Sequence, residues 1–221
     1  MQVKFYKFIS LFICISIISC GPANFVSPLK KEQEAITISL GGPIAKLEGY
    51  NVPMPLLSTS YAKGIDSLTS LYGTFYITSA LFKTFHIDGG FLYQFIAPYN
   101  FQPGFSISPF FILMTNLNLP DTKLYPSTNL NLYWKLNNDL IYTGTNLTVE
   151  FSSKKAFNES VENHFLFSPF IGYQLNTSSL RYSFEIKYFL PNISNQDIVV
   201  DYFSFTSKGA IGFYFSICKS F

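Results

Sequence analysis

The sequence predicts an all-β protein whose roughly ten antiparallel strands close into an up-and-down transmembrane β-barrel. From Ala35 onward, apolar side chains recur at every second position, and no window repeats them at helical spacing for three turns. The alternating runs are about 10 to 13 residues long, which is the length that a tilted strand needs to cross a bilayer. Short turns also alternate with longer loops along the chain, as they do in barrels of this kind.

The composition agrees with a protein that folds around or against apolar matter. Of the 221 residues, 48% are hydrophobic and 13% are charged, and the aromatic residues include 25 Phe and 15 Tyr. An ordinary soluble domain carries about 25% charged residues. The length fits a single domain, which we place at residues 35–221.

The first residues form a targeting signal. Lys4 and Lys7 precede an apolar run over residues 8–18 that is too short to span a bilayer. The run ends in Ile17-Ile18-Ser19-Cys20, which resembles the lipobox of bacterial lipoproteins. The resemblance implies that residues 1–19 are removed and that Cys20 is diacylated and becomes the N-terminus. The alternative is an ordinary secretory peptide in which a cysteine falls there by chance.

Charge and cysteine content exclude several function classes. Without Lys4 and Lys7, the 15 basic residues fall to 13 and balance the 13 acidic ones, so nucleic acid is excluded as a partner. Cys14 leaves with the signal and Cys20 carries lipid, so Cys218 has no disulfide partner. The sequence contains no metal-ligand spacing, phosphate loop or cofactor fingerprint, and we expect no cofactor.

After Cys20, residues 20–34 are predicted to form a short linker of prolines and mixed charges, and the strands follow. The alternation is clearest near the C-terminus, where Leu180, Phe184 and Ile186 share a face opposite Arg181 and Glu185. We predict ten strands, at residues 35–41, 55–64, 68–81, 85–96, 105–115, 124–136, 140–151, 164–175, 180–190 and 208–221.

The connections predict which end of the barrel faces the periplasm. Residues 65–67, 137–139 and 176–179 are tight turns, and residues 42–54, 117–123, 152–163 and 191–207 are longer loops. Two links depart from the pattern, because 97–104 is long for a turn and 82–84 is short for a loop. If the short turns are periplasmic, an even number of strands places the N-terminus there too. An aromatic girdle is predicted at that rim from Trp134, Tyr173 and Tyr182.

Inside a narrow barrel, charges must be paired or solvated. Five charged residues fall on the polar faces of neighbouring strands, and we expect them to form a luminal ladder: Lys135, Glu150, Arg181, Glu185 and Lys187. Three prolines inside predicted strands, Pro109, Pro126 and Pro169, argue against regular pairing because each lacks a ladder donor.

The two histidines are the candidates for catalysis. His86 and Asp88 would share a luminal face, and His164 would share one with Ser168 if that strand is regular. Neither pair comes with a nucleophile motif, so we expect structural histidines and no enzyme. A barrel hydrolase acting on lipid or peptide is the alternative.

The chain resembles the small outer-membrane barrels of Gram-negative bacteria. The resemblance rests on Phe221, on the alternation of Ile211, Phe213, Phe215 and Ile217, and on the strand, turn and strand at 61–73. It implies that the last strand and Phe221 are read by the barrel-assembly machinery, although Lys219 departs from the usual apolar residue. The Phe, Asn and Lys content also resembles envelope proteins of Bacteroidetes-type bacteria.

Together these features predict a lipid-anchored barrel in contact with outer-membrane lipids, with a structural, surface-interaction or limited small-solute role. The sequence does not identify an extracellular partner. Alternation leaves open a soluble, lipid-anchored periplasmic barrel that turns its apolar face inward and binds an apolar ligand there.

Overall fold

The structure, a computed structural model, describes residues 21–22, 25–47, 49–118, 122–152, 161, 163–194 and 201–221. This part of the chain forms eleven strands and one short helix. In chain order they are β1 (Glu34–Leu47), β2 (Tyr50–Pro53), β3 (Leu56–Gly64), β4 (Thr69–Tyr76), α1 (Ile77–Leu81), β5 (Thr84–Ile96), β6 (Gly104–Asn116), β7 (Thr122–Leu136), β8 (Asp139–Val149), β9 (Phe165–Asn176), β10 (Leu180–Ser194) and β11 (Lys208–Ser220).

Ten of the strands form a closed antiparallel barrel, which confirms the predicted fold. Each strand from β3 to β11 pairs with its neighbour in the chain, and β11 returns to pair with β1. The seam runs from Ala35, opposite Ser220, to Pro43, opposite Gly212. At its start, the backbones of Glu34 and Phe221 exchange hydrogen bonds of 3.0 and 2.9 Å.

The outer face of the barrel is apolar, whereas the inner face mixes polar and apolar side chains. In β1, Thr37 and Ser39 are buried, whereas Ile38 between them is 55% exposed. The same alternation continues around the wall, where exposed apolar side chains include Leu71, Phe91, Phe111, Leu132, Ile171, Phe184 and Phe213. Because hydroxyl, amide and charged groups line so much of the interior, a soluble barrel with an apolar ligand inside does not fit this arrangement.

The first predicted loop is wrong, because β1 continues past the seam. The sequence predicts a loop over residues 42–54 after a strand that ends at Gly41. Gly41 does have a φ of 148°, but the backbone stays extended to Leu47. There it pairs with β2 along one edge. Along the other edge, the Phe203 N–H donates a hydrogen bond to the Ile44 carbonyl and the Lys46 N–H donates one to the Asp201 carbonyl. Residues 44–47, 50–53 and 201–203 therefore form a small sheet beyond the barrel wall.

The third predicted strand, at residues 68–81, ends early. β4 stops at Tyr76, and Ile77–Leu81 form the single helical turn α1. The Thr78 hydroxyl accepts a 2.7 Å hydrogen bond from the Leu57 backbone, which ties this turn to β3. The link that looked too short for a loop thus spans residues 77–83, and the pattern of loops at this end is complete.

The three strand prolines lie inside strands, and regular pairing is interrupted beside each of them, as the sequence predicted. Each occupies a position where pairing on one side is absent: Pro169 lies just before the β9–β10 pairing begins at Phe170, and Pro126 just before the β7–β8 pairing at Ser127. The β5–β6 pairing is likewise interrupted between Phe110 and Ile107, on either side of Pro109. A missing donor removes no ladder bond at such places.

The connections segregate to the two ends of the barrel. The turn end carries residues 65–68, 97–103, 137–138 and 177–179, together with the start of β1 and the end of β11. The loop end carries α1, the β1–β2 hairpin and the described residues that follow β6, β8 and β10, whereas much of the predicted loops 117–123, 152–163 and 191–207 lies outside the described residues. No helix in the described residues is long and apolar enough to cross a membrane.

Candidate functional site in the lumen

The N-terminal segment comprises residues 21–33. Its described residues 21–22 and 25–29 lie inside the barrel, contrary to the prediction of a linker, whereas Lys30, Lys31 and Glu32 are exposed. Phe25, Val26 and Leu29 are 6, 3 and 3% exposed. Val26 packs against inward side chains of three strands, Tyr133, Leu140, Tyr142 and Phe170. Phe25 and Leu29 pack near the start of the seam against Ala35, Ala62, Leu92 and Cys218.

Luminal side chains also bond the backbone of this segment. The Ser70 hydroxyl accepts a 2.9 Å hydrogen bond from the Leu29 N–H, and the Ser106 hydroxyl donates a 2.7 Å bond to the Val26 carbonyl. The Lys187 ammonium donates a 2.8 Å bond to the Gly21 carbonyl. Ser70 and Ser106 are close to the turn end, whereas Lys187 lies seven residues into β10. Leu29 and Val26 therefore lie near the turn end, and Gly21 lies closer to the middle of the lumen.

Small side chains make room for this segment. Buried hydroxyl residues cover much of the inner wall: Thr37, Ser39, Ser58, Ser60, Ser70, Ser106, Ser108, Ser168 and Ser216. An eight-stranded barrel is just filled by its own side chains, so ten strands with so many serines leave space. Beside Pro22 and Phe25 a cavity of about 20 Å³ remains, which also touches Asp88 and Lys187 and holds about one water molecule.

The five predicted ladder charges are spread along the whole barrel. Lys135 is exposed near the turn end, and Arg181 donates bonds of 2.9 and 2.8 Å to Cys218 Sγ and Ser220 Oγ. Glu150 lies just beyond β8 at the loop end and accepts a 2.7 Å bond from the Ser152 N–H. Glu185 and Lys187 are buried one above the other in β10.

These two buried charges contact aromatic rings and backbone. Glu185 accepts a 3.2 Å bond from the Tyr142 hydroxyl. The Lys187 ammonium lies 5.7 and 5.5 Å from the ring centres of Phe170 and Phe189. Lys187 is therefore a contact point for the N-terminal segment as well as a luminal charge.

His86 and Asp88 share the inner face of β5, as predicted. Both are buried, and the His86 ring stacks on Tyr76 with 3.7 Å between ring centres. The Tyr76 hydroxyl donates a 2.7 Å bond to Asp88 Oδ2. His86 Nδ1 lies 3.3 Å from Ser79 Oγ of α1, a contact that the sequence did not indicate because α1 was expected to be strand.

The Ser79 and His86 pair lacks the third group that a nucleophilic serine requires. A catalytic histidine is oriented by an acceptor on its second ring nitrogen. Among the described residues, His86 Nε2 is buried without a hydrogen-bond partner. Asp88 instead accepts the hydrogen bond from the Tyr76 hydroxyl.

The second histidine pair is not brought together as a site. His164 Nδ1 lies 2.8 Å from the carbonyl of Glu150, which links the start of β9 to the end of β8. The Ser168 hydroxyl instead accepts a 3.3 Å bond from the Leu190 N–H. Both contacts join neighbouring strands, which is a structural role.

The predicted girdle residues face outward on adjacent strands at the turn end. Ile141 of β8 is the register partner of both Trp134 and Tyr173, and Tyr182 follows on β10 opposite Leu175. Phe221 is exposed, and only its backbone joins the seam among the contacts described above.

The predicted lipidation site, Cys20, lies outside the described residues. The position of the segment that follows it could have been suspected from Phe25, Val26 and Leu29. Three large apolar side chains within five residues are unusual in a solvated linker.

Of the comparisons with known proteins, the one with solved structures finds similar chains. No protein-family model matches the sequence, and neither does any curated protein. The translocator domain of the autotransporter NalP from Neisseria meningitidis is similar with a TM-score of 0.47 and 8% identity, over 99% of this chain and 96% of that one. The outer membrane protein OprG from Pseudomonas aeruginosa is similar with a TM-score of 0.32 and 8% identity, over 89% of this chain and 99% of that one.

Proposed function

We propose that the protein is an integral outer-membrane β-barrel with a structural, surface-interaction or limited small-solute role. The observation that carries this proposal is the outward apolar face that continues around the ten strands. Such a face would be costly in water, whereas hydrocarbon accommodates it and a closed barrel satisfies its own backbone polar groups. Patches of exposed apolar side chains this extensive mark membrane or protein contact.

Membrane extraction combined with gel mobility tests this proposal. An integral barrel stays in the membrane pellet after carbonate or urea treatment and migrates differently in unboiled and boiled samples. Release into the soluble fraction by either treatment would contradict membrane insertion and favour a soluble envelope protein.

We further propose that Cys20 carries the lipid and that the barrel-assembly machinery recognises the last strand with Phe221. Metabolic labelling with a fatty acid tests the first part. The parent should take up label and Cys20→Ala should not, while the variant barrel should still insert because its apolar faces contribute far more than acyl chains. Label on the variant would exclude Cys20 as the acylated residue.

Catalysis is the second candidate function, since Ser79 contacts His86. We propose a non-enzymatic role because, among the described residues, no acceptor orients the His86 ring at Nε2. His86→Ala and Ser79→Ala should each leave the envelope lipid and peptide composition of cells unchanged. A matching change in both variants, absent in the luminal control Ser216→Ala, would establish a hydrolase instead.

A further inference from the structure

The lumen holds the N-terminal segment by contacts at three heights. Near the turn end, Leu29 bonds Ser70; above it, Val26 bonds Ser106; at mid-barrel, Gly21 bonds Lys187. All three contacts use backbone atoms of the segment. The lumen thus presents hydrogen-bonding groups to an extended peptide, much as the edge of a sheet does.

The wall alone does not close the barrel. Its serines and threonines are too small to meet across ten strands, and the space between them is filled by Pro22, Phe25, Val26 and Leu29. With the segment in place, the cavity of about 20 Å³ at Asp88 and Lys187 has no room for a solute larger than water.

The segment is joined to the wall in a way that allows it to leave. At Gly21, Val26 and Leu29 its backbone bonds go to side chains of the wall, whereas the pairing of Glu32 and Gln33 with Gly64 fixes it at the turn end. Withdrawal of residues 21–29 would break these three hydrogen bonds and the packing of Phe25, Val26 and Leu29, and it would leave the pairing between the barrel strands intact. The vacated wall would combine hydroxyls and the charges of Asp88, Glu185 and Lys187 with the aromatic and aliphatic side chains that Phe25, Val26 and Leu29 now contact.

We propose that residues 21–29 are a removable plug and that the vacated lumen is an aqueous path for small polar solutes. This inference rests on the proposed membrane barrel and adds a binding site, the lumen, with an extended peptide as its ligand.

Conductance of planar bilayers tests the plug. The full chain, produced without acylation and refolded in detergent, is compared with a chain in which residues 22–31 are replaced by glycine and serine at equal length. Heat-modifiable mobility first establishes that both are folded. The parent should be closed most of the time, and the replacement variant should conduct continuously.

Adding the segment back provides the second arm. A synthetic peptide of residues 21–33 should close the replacement variant, whereas a scrambled peptide of the same composition should not. Ser70→Ala in the parent should increase the open time about fivefold, since one hydrogen bond is lost. Ser216→Ala is the matched control, because its hydroxyl bonds Ser39 of the wall at 2.8 Å.

Three results would overturn the plug. They are a folded replacement variant that conducts no more than the parent, equal block by both peptides, and a replacement variant that cannot fold, which would make the segment an obligatory core. A parent that fails to enter the bilayer at all would contradict the membrane barrel itself, so the two failures are distinguishable.

Discussion

Phe184 and Ser183 are neighbours in β10 and face opposite sides of the wall. Phe184 is 56% exposed on the outer face, whereas Ser183 shares the inner face with buried Glu185. The environment of a substituted side chain therefore changes completely from one residue to the next.

Lysine at these two positions should have unequal effects. We expect Phe184→Lys to lower the free energy of unfolding by about 2 to 4 kcal/mol, because the ammonium meets hydrocarbon. Ser183→Lys should cost less, because the lumen offers polar groups and the Glu185 carboxylate. Urea titration in lipid vesicles measures both, with Phe184→Leu as the control. Equal losses of unfolding free energy in the two lysine variants would contradict the assignment of Phe184 to the outer face and Ser183 to the lumen.

Asp66 organises the turn between β3 and β4 and makes this turn sensitive to pH. Its Oδ1 accepts bonds of 2.7 Å from both the Leu68 and Thr69 N–H groups. The bond from Leu68 is the largest cause that holds the pKa of the Asp66 carboxyl below its ordinary value of 3.8. Partial desolvation acts in the opposite direction, and the bond from Thr69 lowers the pKa further. The stabilisation is therefore complete above pH 3.8 and is lost as the pH falls through the lowered pKa.

Asp66→Ala should consequently lower the urea midpoint of unfolding at neutral pH, and the difference from the parent should shrink on acidification below pH 3.8. Urea titration at a series of pH values measures this, with Ser67→Ala in the same turn as control. A difference that stays constant down the series would show that the carboxylate charge is irrelevant to the turn.

At the scale of the strand, proline tolerance depends on pairing to both sides. Ile171 of β9 pairs with Thr143 of β8 and with Ile186 of β10, whereas Pro169 pairs with β8 alone. We expect Ile171→Pro to prevent most of the protein from reaching the heat-modifiable form, because it removes a ladder donor. Pro169→Ala should fold as well as the parent. Equal folding of both variants would mean that pairing does not limit proline here.

Strand positions could be predicted where alternation and turns agreed, and errors arose where backbone geometry overrode them. The side-chain pattern alone predicted the alternating faces from Leu180 to Tyr188, but it placed Leu190 on the outer face, whereas Leu190 is buried beside Phe189 with a φ of 46°. The Gly41-Gly42-Pro43 sequence, by contrast, kinks β1 without ending it, because β2 and residues 201–203 pair with the continuation. The apolar run 77–81 looks like strand, but its residues close a link between β4 and β5 as a helical turn.

The candidate site was less predictable because it depends on contacts distant in sequence. His86 and Asp88 could be placed on one face from their spacing alone. The contact between Gly21 and Lys187 joins residues 166 apart, and nothing local reveals it. The same holds for Val26 and Ser106, which are 80 apart.

At the scale of the whole molecule, the two ends should lie on opposite sides of the membrane. Ser207, at the loop end, and Asn138, at the turn end, are both exposed. If the short turns lie in the periplasm, Ser207→Cys should react with a membrane-impermeant maleimide on intact cells. Asn138→Cys should react only after the cells have been permeabilised. The parent controls for its own cysteines. The reverse labelling pattern would show that the turn end faces the outside of the cell and the loop end the periplasm.

The hydrogen bond between Gly21 and Lys187 restricts what an acylated Cys20 could do. Seven residues of strand at about 3.3 Å each place Gly21 about 20 Å from the turn-end rim. An acyl chain on the preceding residue would start inside the barrel, where the wall separates it from the hydrocarbon of the membrane. Anchorage in the periplasmic leaflet and a filled lumen therefore exclude each other. Either acylation draws the segment out and leaves the barrel open, or the lipid emerges at the loop end, on the cell surface. In both cases, the lipid would determine the position of the N-terminal segment relative to the lumen as well as attach the protein to the membrane.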